Sequence, residues 1–348
     1  MKLLILGGTA WLGHRTALTA AAEGHQVTCA ARGTSGAPPP GVRFMAADRD
    51  ADGGLAAAAA EDWDAVIDVS RQPGQIRRAV RDLAPVAGFC VFVSTGNVYA
   101  SQQDRGQDED APLLAPLDAD VMETMESYGQ AKVAGEQAVT AGFGEGRRAI
   151  VRAGLIGGPG DTSGRSGYWP LRFAHPGSDG RVLVPDAPQQ PTQLIDVRDL
   201  AQWLVDLARE QTAGVFNATG NTIPFAEHLA AAAGISRDTP GRVPAGAVPA
   251  PEAWLREQGV AEWSGSRSLP LWLQDPSWHG MNARSNARAQ QAGLCLRRLD
   301  RTLADTLAWE EDAGVDRPRG AGLTRAEERG LLALLDQQDL RKAASPTG

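Results

Sequence analysis

The chain has 348 residues, a formal net charge of −8, 43% hydrophobic and 22% charged residues. That balance argues against wholesale disorder or a collagen-like repeat, and an acidic surface repels phosphate backbones, which argues against a general nucleic-acid partner. The length fits one large or two modest domains.

The first half alternates short apolar runs with helical stretches. Leu3–Leu6 reads as a buried strand, and Leu12–Glu23 as a helix stopped by Gly24. Further strands are expected over Gln26–Ala31, Val42–Ala46, Ala65–Val69 and Phe89–Ser94, with a helix over Gln75–Leu83. Continuous apolar strands between helices predict an α/β fold with a parallel sheet covered on both faces. Residues 101–126 break the pattern: they are polar, proline-containing and acidic, a loop length that is usually functional or mobile. A helix starts near Ser127, and Ala149–Leu155 is a sixth strand. A glycine-rich loop, Gly158–Gly167, follows. Then come helices over Asp196–Leu207 and Pro224–Ala233, a strand over Val215–Ala218, and a stretch rich in Pro, Gly and Ala at 236–252. Leu323–Gln338 reads as a helix with Thr324 and Glu327 as a capping box, and 343–348 as a frayed tail. Cys29, Cys90 and Cys295 lie far apart, without metal-ligand or redox spacing, and the histidines show no metal-ligand spacing either. No stretch has the length of a membrane span, and no signal peptide is evident, so a cytoplasmic protein without a membrane role is expected.

The turn Gly7-Gly8-Thr9-Ala10-Trp11-Leu12-Gly13 follows the first strand and opens the first helix. Gly7 permits a tight turn, Ala10 leaves room for a pyrophosphate, and Gly13 lets the helix approach the sheet. The helix N-terminus then offers amide donors to phosphates. In this strand–turn–helix setting the pattern points to a dinucleotide, with Gly7, Thr9, Ala10, Trp11, Leu12 and Gly13 as its contacts. The second strand ends without the carboxylate that an NAD site usually places there. Arg32 stands there instead, with Arg15 nearby, and this favours NADP over NAD. Asp48 either accepts from the adenine amino group or caps a turn.

Among 34 basic residues only Lys2, Lys132 and Lys342 are lysines, and the tyrosines are Tyr99, Tyr128 and Tyr168. Tyr128 and Lys132 are spaced i, i+4, so on a helix they share one face. An ammonium beside a phenol favours phenolate, and such a tyrosine exchanges a proton with a carbonyl or alcohol while hydride moves at the adjacent carbon. Thr95, at the carboxyl end of the fifth strand, is the expected third member that holds the reacting oxygen. Ser94 is its neighbouring alternative.

These residues together resemble the short-chain dehydrogenase/reductase superfamily, and more closely its extended or atypical branch, the NAD(P)-dependent epimerase/dehydratase-like proteins. Carrying the likeness are the glycine turn, Ser94-Thr95 leading into Val98-Tyr99, Tyr128 with Lys132, Arg152 through Gly158-Pro159-Gly160-Asp161, and Ile195-Asp196-Val197-Arg198-Asp199. The resemblance implies a doubly wound parallel Rossmann sheet over 1–165 and 191–220. It implies a smaller substrate-binding region with C-terminal helices over 166–190 and 221–342. It also implies Thr95, Tyr128 and Lys132 as the active site, cofactor contacts from Ser94, Lys132, Ala153 and Leu155, and a homodimer. Two departures bear on chemistry. The dehydratases of the family carry Asp-Glu after the threonine, where this chain has Gly96-Asn97. Its nucleotide-sugar epimerases carry an asparagine where this chain has Leu155, which disfavours a nucleotide sugar.

Gly96, Asn97, Tyr168, Trp169 and Trp272 are the candidate substrate-facing residues, because tryptophan suits a pocket for a small apolar or flat molecule. The leading expectation is an NADP-dependent oxidoreductase (NAD as the other choice) interconverting a ketone and an alcohol on a small non-nucleotide substrate. The alternatives are an epimerase with transient oxidation, and a cofactor-binding regulator without catalysis.

Overall fold

A computed structural model describes residues 1–237 and 245–344. The chain divides into two compact units. The first comprises Met1–Ile156, Gln193–Asn221 and Gly280–Leu296; the second comprises Gly157–Thr192, Thr222–His279 and Arg297–Gly348. The excursion to Gly280–Leu296 was not anticipated.

The first unit is built on seven strands: β1 (Lys2–Leu6), β2 (Gln26–Ala31), β3 (Arg43–Ala46), β4 (Trp63–Asp68), β5 (Ala87–Thr95), β6 (Arg148–Ala153) and β7 (Gly214–Ala218). They form one parallel sheet in the order β7-β6-β5-β4-β1-β2-β3. From β1 the chain winds outward through β2 and β3, then returns to wind the other way from β4. Its direction reverses between β1 and β4, whose ends pair as Leu6 with Asp68. In open α/β sheets the crevice at such a reversal, outside the carboxyl ends of the strands, is where ligands bind.

Helices α1 (Trp11–Ala22), α2 (Pro73–Leu83), α3 (Tyr128–Phe143) and α4 (Val197–Glu210) cover the two faces. Leu3, Ile5, Cys29, Ile67, Phe89 and Val91 pack with Ala17 and Ala20 of α1 and Leu200, Trp203 and Leu204 of α4. Their alternate neighbours Leu4, Leu6, Ala30, Val66, Cys90 and Phe92 pack with Ile76 and Leu83 of α2 and Val139 and Phe143 of α3. Both faces are therefore dry, which is why the strands read as unbroken apolar runs rather than alternating ones. Each fully buried large side chain of this kind contributes about 1.5–3 kcal/mol.

In the second unit, a helix over Arg165–Ala174 is capped from ahead by Asp161, whose carboxylate accepts from the backbone and hydroxyls of Ser163 and Ser166. The helix over Leu299–Asp312 was not anticipated. Its buried face alternates Thr302, Thr306 and Glu310 with Leu303 and Leu307, so polar residues hide the helical stripe. Thr324 and Glu327 do form the expected capping box, and the helix behind it, Arg325–Ala344, runs past the expected end. Residues 345–348 of the expected tail and 238–244 of the Pro/Gly/Ala stretch lie outside the described residues. Among the described residues no helix is long and apolar enough to cross a membrane.

Candidate active site

The glycine turn is shaped by contacts that exclude side chains. Gly7 has φ +85°, which favours glycine, and a Cβ there would meet Val69 at 2.7 Å. A Cβ on Gly8 would lie 2.2 Å from the Cys29 sulfur, and one on Gly13 2.3 Å from the Gly7 carbonyl oxygen. Ala10 is the N-cap of α1 without a side-chain cap of its own, so a phosphate can serve its first amides. Beside the turn lies a cavity of about 480 Å³, lined by Gly7, Thr9, Ala10 and Arg32 together with residues from the carboxyl ends of β3 and β4. This cradle and cavity fit the phosphates and one nucleoside of a dinucleotide.

The sequence reading missed the residues that β3 and β4 contribute: Arg49, Asp50, Ser70, Arg71, Gln72 and Gln75. The signal was available, since each follows a strand at the edge where ligands bind. Arg49 donates to Asp68 at 3.2 Å and to the Ser70 hydroxyl, and a Cβ on Gly7 would lie 3.7 Å from it. Arg32 sits 3.6 Å from the Asp50 carboxylate. Asp48 caps its own turn by accepting from the Asp50 amide at 3.1 Å, which is the structural half of the expectation for it. Leu12 is partly buried against the core below the turn, and Ala153 is inside that core. Trp11, Arg15 and Leu155 are not among the residues lining the cavity.

Tyr128 opens α3 beside the end of β5, where the Thr95 hydroxyl lies near enough to its phenol to bear on its ionisation. Thr95 also accepts from the Asn97 amide at 3.3 Å, which turns the chain just past the strand. Lys132 lies one turn on but faces inward. Its ammonium donates to the carbonyl oxygens of Ser70 and, at 2.6 Å, Val93, and lies 4.7 Å from the centre of the Phe92 ring. Burial lowers its pKa to about 7, against the pull of Asp68 and Glu136. The expected tuning is thus altered. Burial raises the Tyr128 phenol above its usual value, and the groups that oppose it are Thr95 and the cation of Arg71 rather than Lys132.

Ser94 has a different task from the one expected. Its hydroxyl donates to Glu136 at 2.6 Å, and Glu136 is gripped by both arms of Arg152, at 3.0 and 2.8 Å. Arg152 continues to the Tyr99 hydroxyl at 3.1 Å and the Glu109 carbonyl at 2.9 Å. Tyr99 donates to Asn217 at 2.6 Å. All six residues are buried, so this network braces β5, β6, β7 and α3 from below and leaves Thr95 as the hydroxyl toward Tyr128.

The three aromatic substrate candidates belong to the second unit's interior. Trp169 is fully buried and donates to the Pro270 carbonyl at 2.8 Å; Trp272 donates to Glu252 at 2.7 Å. Tyr168 is 3% exposed and meets Trp169 edge-on, with ring centres 4.8 Å apart. Their size and single donors suit a packed core equally well, and Trp169 and Trp272 lie there; Tyr168, though buried, also lines a cavity of about 490 Å³ with Arg172, His175 and Arg319. Gly96 is buried under Arg284, so it too presents no surface.

A family model described as the NAD dependent epimerase/dehydratase family matches residues 3–219. No curated protein matches the sequence. Among solved structures, the UDP-N-acetylglucosamine 4-epimerase of Bacillus cereus is similar, with 13% identity, 92% of this chain and 100% of that one covered, and a TM-score of 0.63. WbmG of Bordetella bronchiseptica, solved in complex with NAD and UDP, shares 18% identity over 90% of this chain and 96% of its own, with a TM-score of 0.58. WbmH of the same organism, in complex with NAD+, also shares 18% identity over 90% of this chain and 99% of its own, with a TM-score of 0.58. At these identities the solved structures speak for the fold.

Proposed function

The chain belongs to the NAD dependent epimerase/dehydratase family, and from that premise we propose that it is an epimerase acting at a secondary alcohol carbon of a small hydroxylated molecule. The observation that carries the reading is the Thr95–Tyr128 pair at the carboxyl end of β5, with Gly96 and Asn97 where the family's dehydratases carry acids. Bound in the cradle, a nicotinamide dinucleotide supplies first the acceptor and then the donor of a hydride. Tyr128 takes the proton from the substrate hydroxyl as the carbonyl forms and returns it as the opposite configuration is made. Thr95 holds that oxygen in place between the two steps. WbmG is recorded with UDP, but Leu155, buried and without a donor, favours a substrate lacking a nucleotide pyrophosphate here.

The Asp50 carboxylate beside Arg32 supports NAD as the cofactor rather than NADP. A carboxylate accepts from a ribose 2′-hydroxyl and repels a 2′-phosphate. A second reading, net reduction of a ketone, is favoured by one observation: burial raises the Tyr128 phenol above its usual value, which suits a group that begins by donating to a carbonyl oxygen, whereas epimerisation needs its phenolate first.

One set of measurements separates these readings. Small sugars and secondary alcohols are offered to the protein with NAD, configuration is followed by proton NMR, and net redox by the absorbance of reduced nicotinamide. Epimerisation without an absorbance change supports the proposal; stoichiometric absorbance change supports the second reading. Tyr128→Phe lowers turnover by about 10²–10⁴-fold in either case, with NAD affinity retained and tighter than that for NADP. Undiminished turnover in this variant overturns the mechanism.

A further inference from the structure

Arg284 reaches the active-site turn from the segment Gly280–Leu296, 188 residues along the chain from Gly96. Its backbone is held on both sides by one buried amide: Gln193 accepts from the Arg284 N–H at 3.2 Å and donates to its carbonyl at 2.7 Å. The guanidinium, in turn, donates to the Gly96 carbonyl at 2.8 Å, to Gln107 at 2.9 Å and to Gln102. It lies 4.4 Å from the centre of the Tyr99 ring.

Two features set this arginine apart. It is 3% exposed, its partners are all neutral oxygens, and its Nε has no hydrogen-bond partner among the described residues. Burial, with Arg152 adding to it, pushes its pKa down to about 10. A buried cation without a carboxylate is costly to keep. The second feature is steric. A Cβ on Gly96 would lie 2.9 Å from the Arg284 Nε and 3.6 Å from its Cδ. Gly96 does not have a positive φ, so glycine stands there for space and not for backbone freedom.

We propose that Arg284 is a positioning residue of the active site: by filling the space over Gly96 and holding its carbonyl, it fixes Thr95 against Tyr128. This rests on Thr95 and Tyr128 being the reacting pair. The clamp is bipartite, because the same guanidinium ties Gln102 and Gln107 of the acidic loop to the end of β5. The loop is also drawn in by Arg288, which pairs with Glu109 at 3.3 Å and with Asp110. The glycine at position 96 and the arginine that fills the space over it form one device.

The test reads Tyr128 itself, so it needs neither substrate nor cofactor. Ultraviolet difference absorbance of tyrosinate is followed against pH, and the Tyr128 phase is assigned as the one lost in Tyr128→Phe. Arg284→Gln and Arg284→Lys are both measured, with circular dichroism as the check on folding. Drawing the Thr95 hydroxyl away from the phenol removes a group that lowers its pKa, and moves the Tyr128 ionisation up by about half to one pH unit. The expected result is that shift in both variants, since lysine keeps the charge but lacks the planar fork that reaches the three oxygens and fills the space over Gly96. A shift in Arg284→Gln alone would mean that only the charge matters, and no shift in either folded variant would mean that the turn holds itself; both overturn the proposal. Should both variants fail to fold, Gly96→Ala decides. With Arg284 in place, the added Cβ crowds the guanidinium and is expected to shift the Tyr128 ionisation up by a similar amount. An unchanged ionisation in the folded Gly96→Ala protein overturns the proposal. If this coupling is found while no hydride transfer is, the epimerase reading fails and the positioning of Tyr128 stands.

Discussion

Lys132 and Tyr128 share a helical face, as their spacing requires, yet the ammonium turns into the sheet and donates to Ser70 and Val93 carbonyls, while the phenol's ionisation responds to Thr95 and Arg71. A lysine whose folded pKa falls to about 7 has a definite effect on stability. Between that value and its unfolded pKa, the unfolded chain binds more protons, so stability rises with pH across this window and the cost of the buried charge is complete below it. The slope from this group reaches at most about 1.4 kcal/mol per pH unit. Lys132→Met removes it. Urea unfolding midpoints measured across the window are expected to climb with pH more steeply in the native chain than in the variant, and parallel curves would refute the assignment. The residue types and their spacing were readable in advance; the direction of the ammonium was not, because it follows from which carbonyl oxygens the packed strands bring near it.

At the scale of elements, α3 is fastened to β6 by the Glu136–Arg152 pair, with Ser94 of β5 as a third point. Glu136 continues the Tyr128–Lys132 face by one more turn, so this single face carries the proposed proton-transfer group, a buried ammonium and a buried carboxylate. The pattern was in the sequence, but nothing local says that an arginine 16 residues on, in the next strand, will meet it. Glu136→Ala leaves Arg152 buried and unpaired and is expected to cost about 3–5 kcal/mol, read as a lower unfolding midpoint. A cost below 1 kcal/mol would mean that water reaches Arg152. Helix α1 and the glycine turn, by contrast, were legible almost to the residue, since their contacts (Gly7, Gly8 and Gly13 with Val69, Cys29 and each other) depend on a short βαβ geometry that the spacing encodes.

For the whole molecule, the consequential fact is that the dinucleotide-binding unit is not continuous in sequence. Gly280–Leu296 returns to it and supplies Arg284, the core residues Ala289 and Leu294, and the Ala292 carbonyl that accepts from Trp203 at 2.9 Å. A fragment ending at Asn221 covers the whole family match, yet it is expected to show no cooperative thermal transition by circular dichroism. Joining residues 280–296 to it through a Gly/Ser linker should restore one; a cooperative transition in the shorter fragment would show the returning segment to be dispensable. The sequence by itself determined the parallel sheet, the glycine turn into α1 and the shared helical face of Tyr128 and Lys132, because each is written in residues close along the chain whose periodicity or spacing is local. Tertiary structure alone decided that Ser94 braces Glu136, that Asp50 stands beside Arg32, that the aromatic candidates are core, and that Arg284 sits over Gly96. Burial and charged neighbours are properties of packing, and packing joins residues that no local pattern connects.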